Sequence, residues 1–465
     1  MKPILPCVIL SIHALTLGMP AAGVKSTPTL PSKVDAIVAK EMATRNLMGV
    51  SVAVIDHGKL VVTKGYGLRE AATGTPVDVD SMFAIGSVSK QFTCAAILLL
   101  AEEGKLSVDD TVSKYFPDLT RAEDITLLDL MHHVSGYPDY YPLDFVDERM
   151  QRAIDPDDLI KRYAGGRLDF PPRSNYSYSN TGYIILGRIV EKTSGIELGE
   201  FLKRRIFEPL AMHHTVFDPG PAVDNIAKGY RSFALAEREE AAPEGHGWLG
   251  GAGAIRSTAG DLARWDLALA DGALLKPDSW RIMTSPIQLT DGRTSEYACG
   301  MWVSHRNGFL AMDHSGAVSG FMAGNTLVPA TRSAVVVLSN CEQPIGDLRN
   351  ALFEALTQKS MPIPEIKGKS AVDAATELLH QFQSGRLERG HFGDDFNQFV
   401  TPERAARASV TLKKLGSIKH SQLMDRGERG GMEVATVRFE LKRGTCKALM
   451  YRSTDGQIQE FLILP

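Results

Sequence analysis

Cysteine and surplus charge are both scarce in this chain, and each scarcity removes a class of protein. Five cysteines occur in 465 residues, without close pairs or metal-ligand spacing, which excludes a disulfide scaffold and a cysteine-built metal centre. No H-E-x-x-H or comparable metal motif occurs, and the chemistry discussed below calls for no metal or cofactor. A formal net charge of −4 leaves no basic footprint, so nucleic acid is not an expected partner. Internal repeats and low-complexity tracts are absent.

The one long apolar run is at the start. In "MKPILPCVILSIHALTLGMPAAGVKS" Lys2 precedes Ile4 to Leu17, followed by Ala21, Ala22 and Gly23. This is the pattern of a signal peptide over residues 1–23, too short for a stable membrane span. A periplasmic or secreted location is expected. An uncleaved interfacial anchor is the alternative, because Pro6 and His13 interrupt the run. Its removal leaves Cys94, Cys299, Cys341 and Cys446. Cys94 lies in an apolar helix and reads as a small buried hydrophobe. Spacing leaves a Cys299–Cys341 bridge open.

Periodicity then divides the chain. "LPSKVDAIVAKEMATRNLM" is helical, and "GVSVAVIDHGKLVVTKGYGLRE" alternates about a turn at His57-Gly58, as a β-hairpin does. A helix is expected from about Ser87 to Glu103, stopped by Gly104. A helical, loop-rich stretch reaches about residue 285. It includes "TGYIILGRIVEKTSG", ended by Gly195, and "STAGDLARWDLALADG", with Ser257 and Asp261 as candidate caps. Four strand-like runs follow from Tyr297, then a helix. The expected fold class is α+β: an antiparallel sheet built from both ends of the catalytic region, flanked by helices, with a helical and loop-rich insertion. The expected domains are a large unit over 24–362, a linker over 363–370 with Pro364 in a charged setting, and a small α+β domain over 371–465. In the last, helices precede three strand-like runs, faintly resembling the cone-shaped fold of nuclear-transport-factor-like domains. Its sequence offers no catalytic constellation.

Three short motifs carry the chemistry. In "FAIGSVSKQF", Ser87 and Lys90 are three residues apart, close enough to meet on one helix face. A serine needs a base to become nucleophilic, and a desolvated lysine can be that base. Taken alone, the pair is equally a helix cap and a surface lysine. In "NYSYSNTGY", Tyr178 and Asn180 flank Ser179. A phenol can relay a proton and a carboxamide can hold an amide at both ends, while the plainer alternative is a helix cap on Ser179 or Asn180. In "AMDHSGAVSGF", His314-Ser315-Gly316 ends a strand, where Gly316 admits close backbone approach and the next N–H can face an oxyanion. The plainer alternative there is a hairpin with an ordinary histidine.

In this order, S-x-x-K, Y-x-N and H/K-x-G resemble the penicillin-recognising serine hydrolases. The likeness is to the group of class C β-lactamases, D-alanyl-D-alanine carboxypeptidases and β-lactamase-like carboxylesterases. "ITLLDLMHHVSGYPDY" (125–140), "YSNTGYIILGRIVEKTSG" and "GGAGAIRSTAGDLARW" (250–265) agree with it, and the resemblance spans roughly residues 33–358. It implies that Ser87 is acylated, that Lys90 and Tyr178 share the general-base work, and that Asn180 orients substrate. It also implies that His314 completes an electrostatic wall, and that the N–H groups of Ser87 and Ala317 beside Gly316 form the oxyanion hole. His132 and His133 read as structural. The partner is a small ester, lactam or peptide, and nothing in the sequence sets the oligomeric state. One departure is H-S-G where class C β-lactamases carry K-T-G: histidine is charged only below about pH 6.5 unless shifted, which favours esters or D-amino-acid peptides over lactams. No G-x-S-x-G elbow surrounds Ser87, so the α/β-hydrolase route has no support. The expected function is an exported serine hydrolase of esters, β-lactams or related amides. The alternatives are a D-alanyl-D-alanine carboxypeptidase or D-amino-acid peptidase and, outside enzymes, a non-catalytic sensor of wall fragments or lactams.

Overall fold

The computed structural model describes residues 29–141, 146–218, 224–234, 236–357 and 363–464, so the expected signal peptide lies outside the described residues. The chain divides into two compact units, Met1–Thr357 and Gln358–Pro465.

In the larger unit, helix α1 (Leu30–Arg45) is capped by the Thr29 side chain and closed by Asn46 in the left-handed region. Strands β1 (Gly49–Asp56) and β2 (Lys59–Glu70) follow. Between them His57 and Gly58 both have positive φ, 48° and 77°, as a tight primed hairpin turn requires. After the short β3 (Thr75–Pro76) the chain leaves the sheet. It returns as β4 (Trp302–Arg306), β5 (Phe309–Val318), β6 (Phe321–Val328) and β7 (Ser333–Ser339).

The seven strands are ordered β3-β2-β1-β7-β6-β5-β4. Pairing of β1 with β7 is antiparallel, from Val50 opposite Ser339 to Ile55 opposite Ala334. Both ends of the unit therefore complete one sheet, as the alternation of apolar residues implies. Both faces of β7 are covered: Val335 and Val337 pack with Val34, Val38 and Phe353, and Val336 and Leu338 with the helical side. Buried on both faces, its residues run apolar without alternation.

Helix α2 (Ser89–Glu102) is buried all round from Ser89 to Leu100, the mark of a central core helix. It begins later than the sequence suggests, because Gly86–Val88 form a 3-10 turn that holds Ser87 ahead of the regular helix. Gly104, at φ 68°, follows its end as expected. Helix α3 (Asn180–Ser194) ends at Gly195 in the left-handed region. Helix α4 (Ala259–Ala270) is capped by Thr258 rather than Ser257, whose hydroxyl is instead paired with Thr215. Helix α5 (Gly346–Thr357) closes the unit.

The smaller unit has helices Ala371–Ser384, Asp394–Phe399 and Pro402–Leu415, followed by four antiparallel strands in sequence order. Sequence suggested three strand-like runs. The last divides into Gly444–Arg452 and Ile458–Leu464 at a turn in which the Asp455 carboxylate accepts the Gln457 N–H and Gly456 has φ 93°. Leu378, Phe382, Val437, Phe439 and Met450 form its core.

The four cysteines among the described residues are all free and buried. The Cys299–Cys341 pairing that spacing leaves open is not formed: the two thiols belong to separate cores, Cys299 beside His132 and Cys341 beside Ser339.

One buried carboxyl tests the packing. The Asp266 carboxyl on α4 is fully enclosed; Oδ1 accepts Asn325 Nδ2 at 2.6 Å, whereas Oδ2 has no partner among the described residues. Burial pushes its pKa up to about 8. The folded state then holds a proton that the unfolded chain releases near pH ~4, so stability declines as pH rises from about 4 to about 8. Asp266→Asn removes that proton uptake. Thermal melts between about pH 5 and pH 8 should show a stabilisation that grows with pH towards about 3 kcal/mol; a pH-independent difference would contradict it.

Candidate active site

A cleft of about 660 Å³ in the larger unit is lined by Ser87, Tyr178, Asn180, His314 and Ala317, among others. Five of the seven expected site residues thus share one wall system, and the other two lie immediately behind it. Lys90 Nζ touches Ser87 Oγ at 3.0 Å. Gly316 backs onto the turn that carries Ser87. A Cβ on Gly316 would lie 2.0 Å from the Ile85 carbonyl oxygen and 3.1 Å from the Ser87 nitrogen. Only glycine permits that approach. Gly86, at φ 48°, makes the reciprocal contact with the Ala317 backbone nitrogen. The amide nitrogens of Ser87 and Ala317 therefore both lie at one backbone crossing on the cleft wall.

Lys90 has no solvent exposure. Its Nζ donates to Asn180 Oδ1 at 2.7 Å and to the Ala252 carbonyl at 2.9 Å, and lies 4.8 Å from the Tyr178 ring centroid. Burial pulls its pKa down to about 7, partly offset by the Asp139 charge. A neutral amine has two N–H donors and one lone pair. With Asn180 and Ala252 accepting the two donors, the lone pair is left for the Ser87 hydroxyl proton. This is the geometry of a nucleophile and its base.

Ala252 reaches Lys90 because its segment is almost all glycine. Gly250–Gly253 is a single helical turn, and a Cβ on Gly251 would meet the Tyr183 carbonyl at 2.5 Å. Thr93 Oγ1 donates to the Gly251 carbonyl, stapling the segment to α2. "GGAGA" is thus a packing requirement that delivers a carbonyl.

Tyr178 is half-buried at the cleft wall, and its enclosed hydroxyl makes no hydrogen bond among the described residues. Burial raises its pKa, opposed by the adjacent Ser87 hydroxyl, so it stays protonated at neutral pH. The ring packs against His133 with centroids 4.1 Å apart and planes tilted by 32°. His133 Nδ1 accepts the Ser179 N–H at 3.0 Å, and burial with the nearby Lys90 charge holds the imidazole neutral. Here His133 braces the Tyr178 segment. His132 meets the Tyr297 carbonyl through Nδ1. Ser179 precedes α3 in extended conformation without a side-chain cap bond, its hydroxyl donating to the Pro138 carbonyl instead.

His314 corrects one expectation. Its Nδ1 faces the Ser315 carbonyl at 2.5 Å, so that nitrogen carries the proton and Nε2 accepts the Tyr297 hydroxyl at 2.9 Å. Burial, with the Lys90 and Arg349 charges nearby, lowers its pKa to about 3. It is a neutral imidazole and supplies no electrostatic wall. The only charged groups among the described lining residues are Asp139 and Glu342.

Motif reading singles out neither Asp139, Tyr297 nor Ala252. Asp139 accepts from Asn180, Tyr297 orients His314, and Ala252 orients Lys90. Only Asp139 left a visible signal, as the acid of a polar loop, "SGYPDYY". The described residues contain no group of three His, Cys, Asp or Glu side chains placed to hold a metal ion.

Comparison with known proteins gives a consistent result. Penicillin-binding protein 4* of Bacillus subtilis (strain 168) is 29% identical over 352 residues, 70% of this chain and 76% of that protein. A D-aminopeptidase of Brucella melitensis biotype 2 (strain ATCC 23457) is 28% identical over 455 residues, 94% of this chain and 84% of the relative. Among solved structures, the D-amino acid amidase of Ochrobactrum anthropi SV3 superposes with TM-score 0.64 at 21% identity, covering 70% of this chain and 98% of the amidase. The Beta-lactamase family matches residues 34–358. With that span holding the serine–lysine turn, the tyrosine–asparagine segment and the histidine strand, the chain belongs to the Beta-lactamase family of serine hydrolases.

Proposed function

We propose that the protein is an exported amidohydrolase that works through a Ser87 acyl-enzyme on small amides, short peptides or esters that are neutral or carry a free amine. D-amino-acid amides are the leading substrates. The carrying observation is the charge of the cleft. Penicillins and peptide C-termini bring a carboxylate, yet the described lining offers Asp139, Glu342 and a neutral His314, with no lysine or arginine. Like charges in a low-dielectric cleft repel. The relatives named for D-amino-acid substrates support the same reading.

In the proposed reaction Ser87 Oγ attacks the substrate carbonyl carbon while its proton passes to Lys90 Nζ. The carbonyl oxygen becomes an oxyanion held by the N–H groups of Ser87 and Ala317. Collapse expels the amine or alcohol, which takes the proton back from Lys90 by way of the Tyr178 hydroxyl. Water then attacks the ester carbon of the acyl-enzyme, giving up its proton along the same route and releasing acid and free Ser87. Tyr178 acts here as a protonated relay, with Lys90 as first acceptor, because burial raises the phenol and lowers the ammonium.

Four outcomes are expected. Ser87→Ala should lower turnover of a D-amino-acid nitroanilide by at least about 10³-fold, and wild-type kcat/KM should rise with pH through a midpoint near 7, as Lys90 loses its proton. Unchanged turnover in Ser87→Ala sinks the acyl-enzyme reading. His314→Lys should raise kcat/KM for a chromogenic cephalosporin relative to the nitroanilide by about tenfold, which corresponds to 1.4 kcal/mol; an unaltered ratio means that cleft charge does not select substrate. Export is tested by the amino terminus of protein recovered from an exporting host, where a chain beginning at Met1 refutes cleavage.

A further inference from the structure

We propose that Asp139 is a positioning residue that presents Asn180 to Lys90 and governs when Lys90 can take the Ser87 proton, given the roles assigned to Ser87 and Lys90 above. Asp139 Oδ1 accepts the backbone N–H of Asn180 at 3.0 Å and that of Tyr141 at 3.1 Å, and Oδ2 accepts Asn180 Nδ2 at 3.2 Å. A carboxylate only accepts. The Asn180 side chain can therefore show it only the NH₂ end, which turns Oδ1 towards Lys90 Nζ at 2.7 Å. The orientation of the amide, ambiguous from shape alone, is fixed by the acid behind it.

The same carboxylate balances the charge of Lys90. Around Nζ stand Cys94 on its own helix, Tyr183 and Asn180 on α3, the Tyr178 ring, the Ala252 carbonyl, and His133 and His314. Burial holds the Cys94 thiol and both phenols protonated, and both imidazoles are neutral. Asp139 is then the one anionic group acting on the ammonium in this shell of described residues. Its removal deprives Lys90⁺ of a counter-charge. It also frees the Asn180 amide to rotate its NH₂ towards Nζ, which again disfavours the charged form. Both effects push the lysine pKa down.

A fluorophosphonate probe reads this without knowledge of the natural substrate. Ser87 Oγ bonds to the probe's phosphorus, fluoride leaves, and Lys90 takes the serine proton. Labelling rate against pH therefore reports Lys90, with Ser87→Ala as the unlabelled control. In Asp139→Asn the midpoint of the rate–pH curve should fall by about one unit, the lower end of the effect of a nearby opposite charge. The plateau rate should also drop, through lost orientation of Asn180. Asp139→Glu, which keeps charge and acceptors, should return the midpoint towards wild type. In an Asn180→Ala background, Asp139→Asn should cost less plateau rate than it does alone, because the amide through which it acts is gone. Circular dichroism confirms that each variant is folded. A midpoint unmoved in folded Asp139→Asn overturns the proposal while leaving Ser87 as nucleophile. Wild-type protein that is not labelled, or Ser87→Ala that is, overturns both.

Discussion

Everything at the site answers to one constraint, a lysine ammonium enclosed with no solvent exposure. An uncompensated buried charge is among the costliest features a fold can hold. The surrounding parts read as its compensation: a carbonyl brought in on a glycine-rich turn, an amide oriented by a carboxylate, and a hydroxyl on the preceding turn. Two aromatic rings also stand beside the amine, with the Tyr178 and Tyr183 centroids 4.8 and 5.3 Å from Nζ. Because compensation is partial, the amine sits near its own titration point, and an expensive burial becomes a usable base.

The second constraint is steric. Strand β5 runs so close to the Ile85–Ser87 turn that side chains are excluded on both sides of the crossing, at Gly316 and Gly86. This fixes Ser87 against the strand before any ligand arrives. Arg349 of α5 ties the same strand to β6, donating to the carbonyls of His314 on β5 and Asn325 on β6. Nucleophile, base and strand are thus set by backbone packing rather than by flexible loops, the condition under which preorganised dipoles are effective.

Much of this was legible in the sequence. Alternating apolar runs at both ends of the larger unit gave the sheet, and the left-handed Gly195 and the His57-Gly58 turn stood out as punctuation. Ser87, Lys90, Tyr178, Asn180, His314, Gly316 and Ala317 all fall at or directly behind one cleft wall. What pattern could not show was protonation. Histidine in H-S-G promises a titratable charge, and only its enclosure against Tyr297 reveals it as neutral. Nor could pattern find Asp139 or Ala252, because a supporting acceptor needs only an oxygen in the right place, and many residue types provide one. The start of α2 was misplaced for a related reason: Ser87 resembles a helix cap by composition, whereas contact with β5 turns it into a separate 3-10 turn.

The strand order has a consequence in time as well as in space. β1 lies between β2 and β7, so its second edge is paired only by residues 334 to 339, at the far end of the unit. A chain growing from its amino terminus makes the β1–β2 hairpin early and must then keep a strongly apolar edge uncovered while the whole insertion is assembled. Such long-range pairings fold slowly and leave a sticky edge exposed meanwhile. Completion of the sheet is also what carries β5 to the Ser87 turn, through β6 and β7. Nascent or carboxy-terminally truncated chains that lack β7 would thus hold the serine and lysine without the strand that makes them chemically competent, so hydrolytic power arrives only with the last strand.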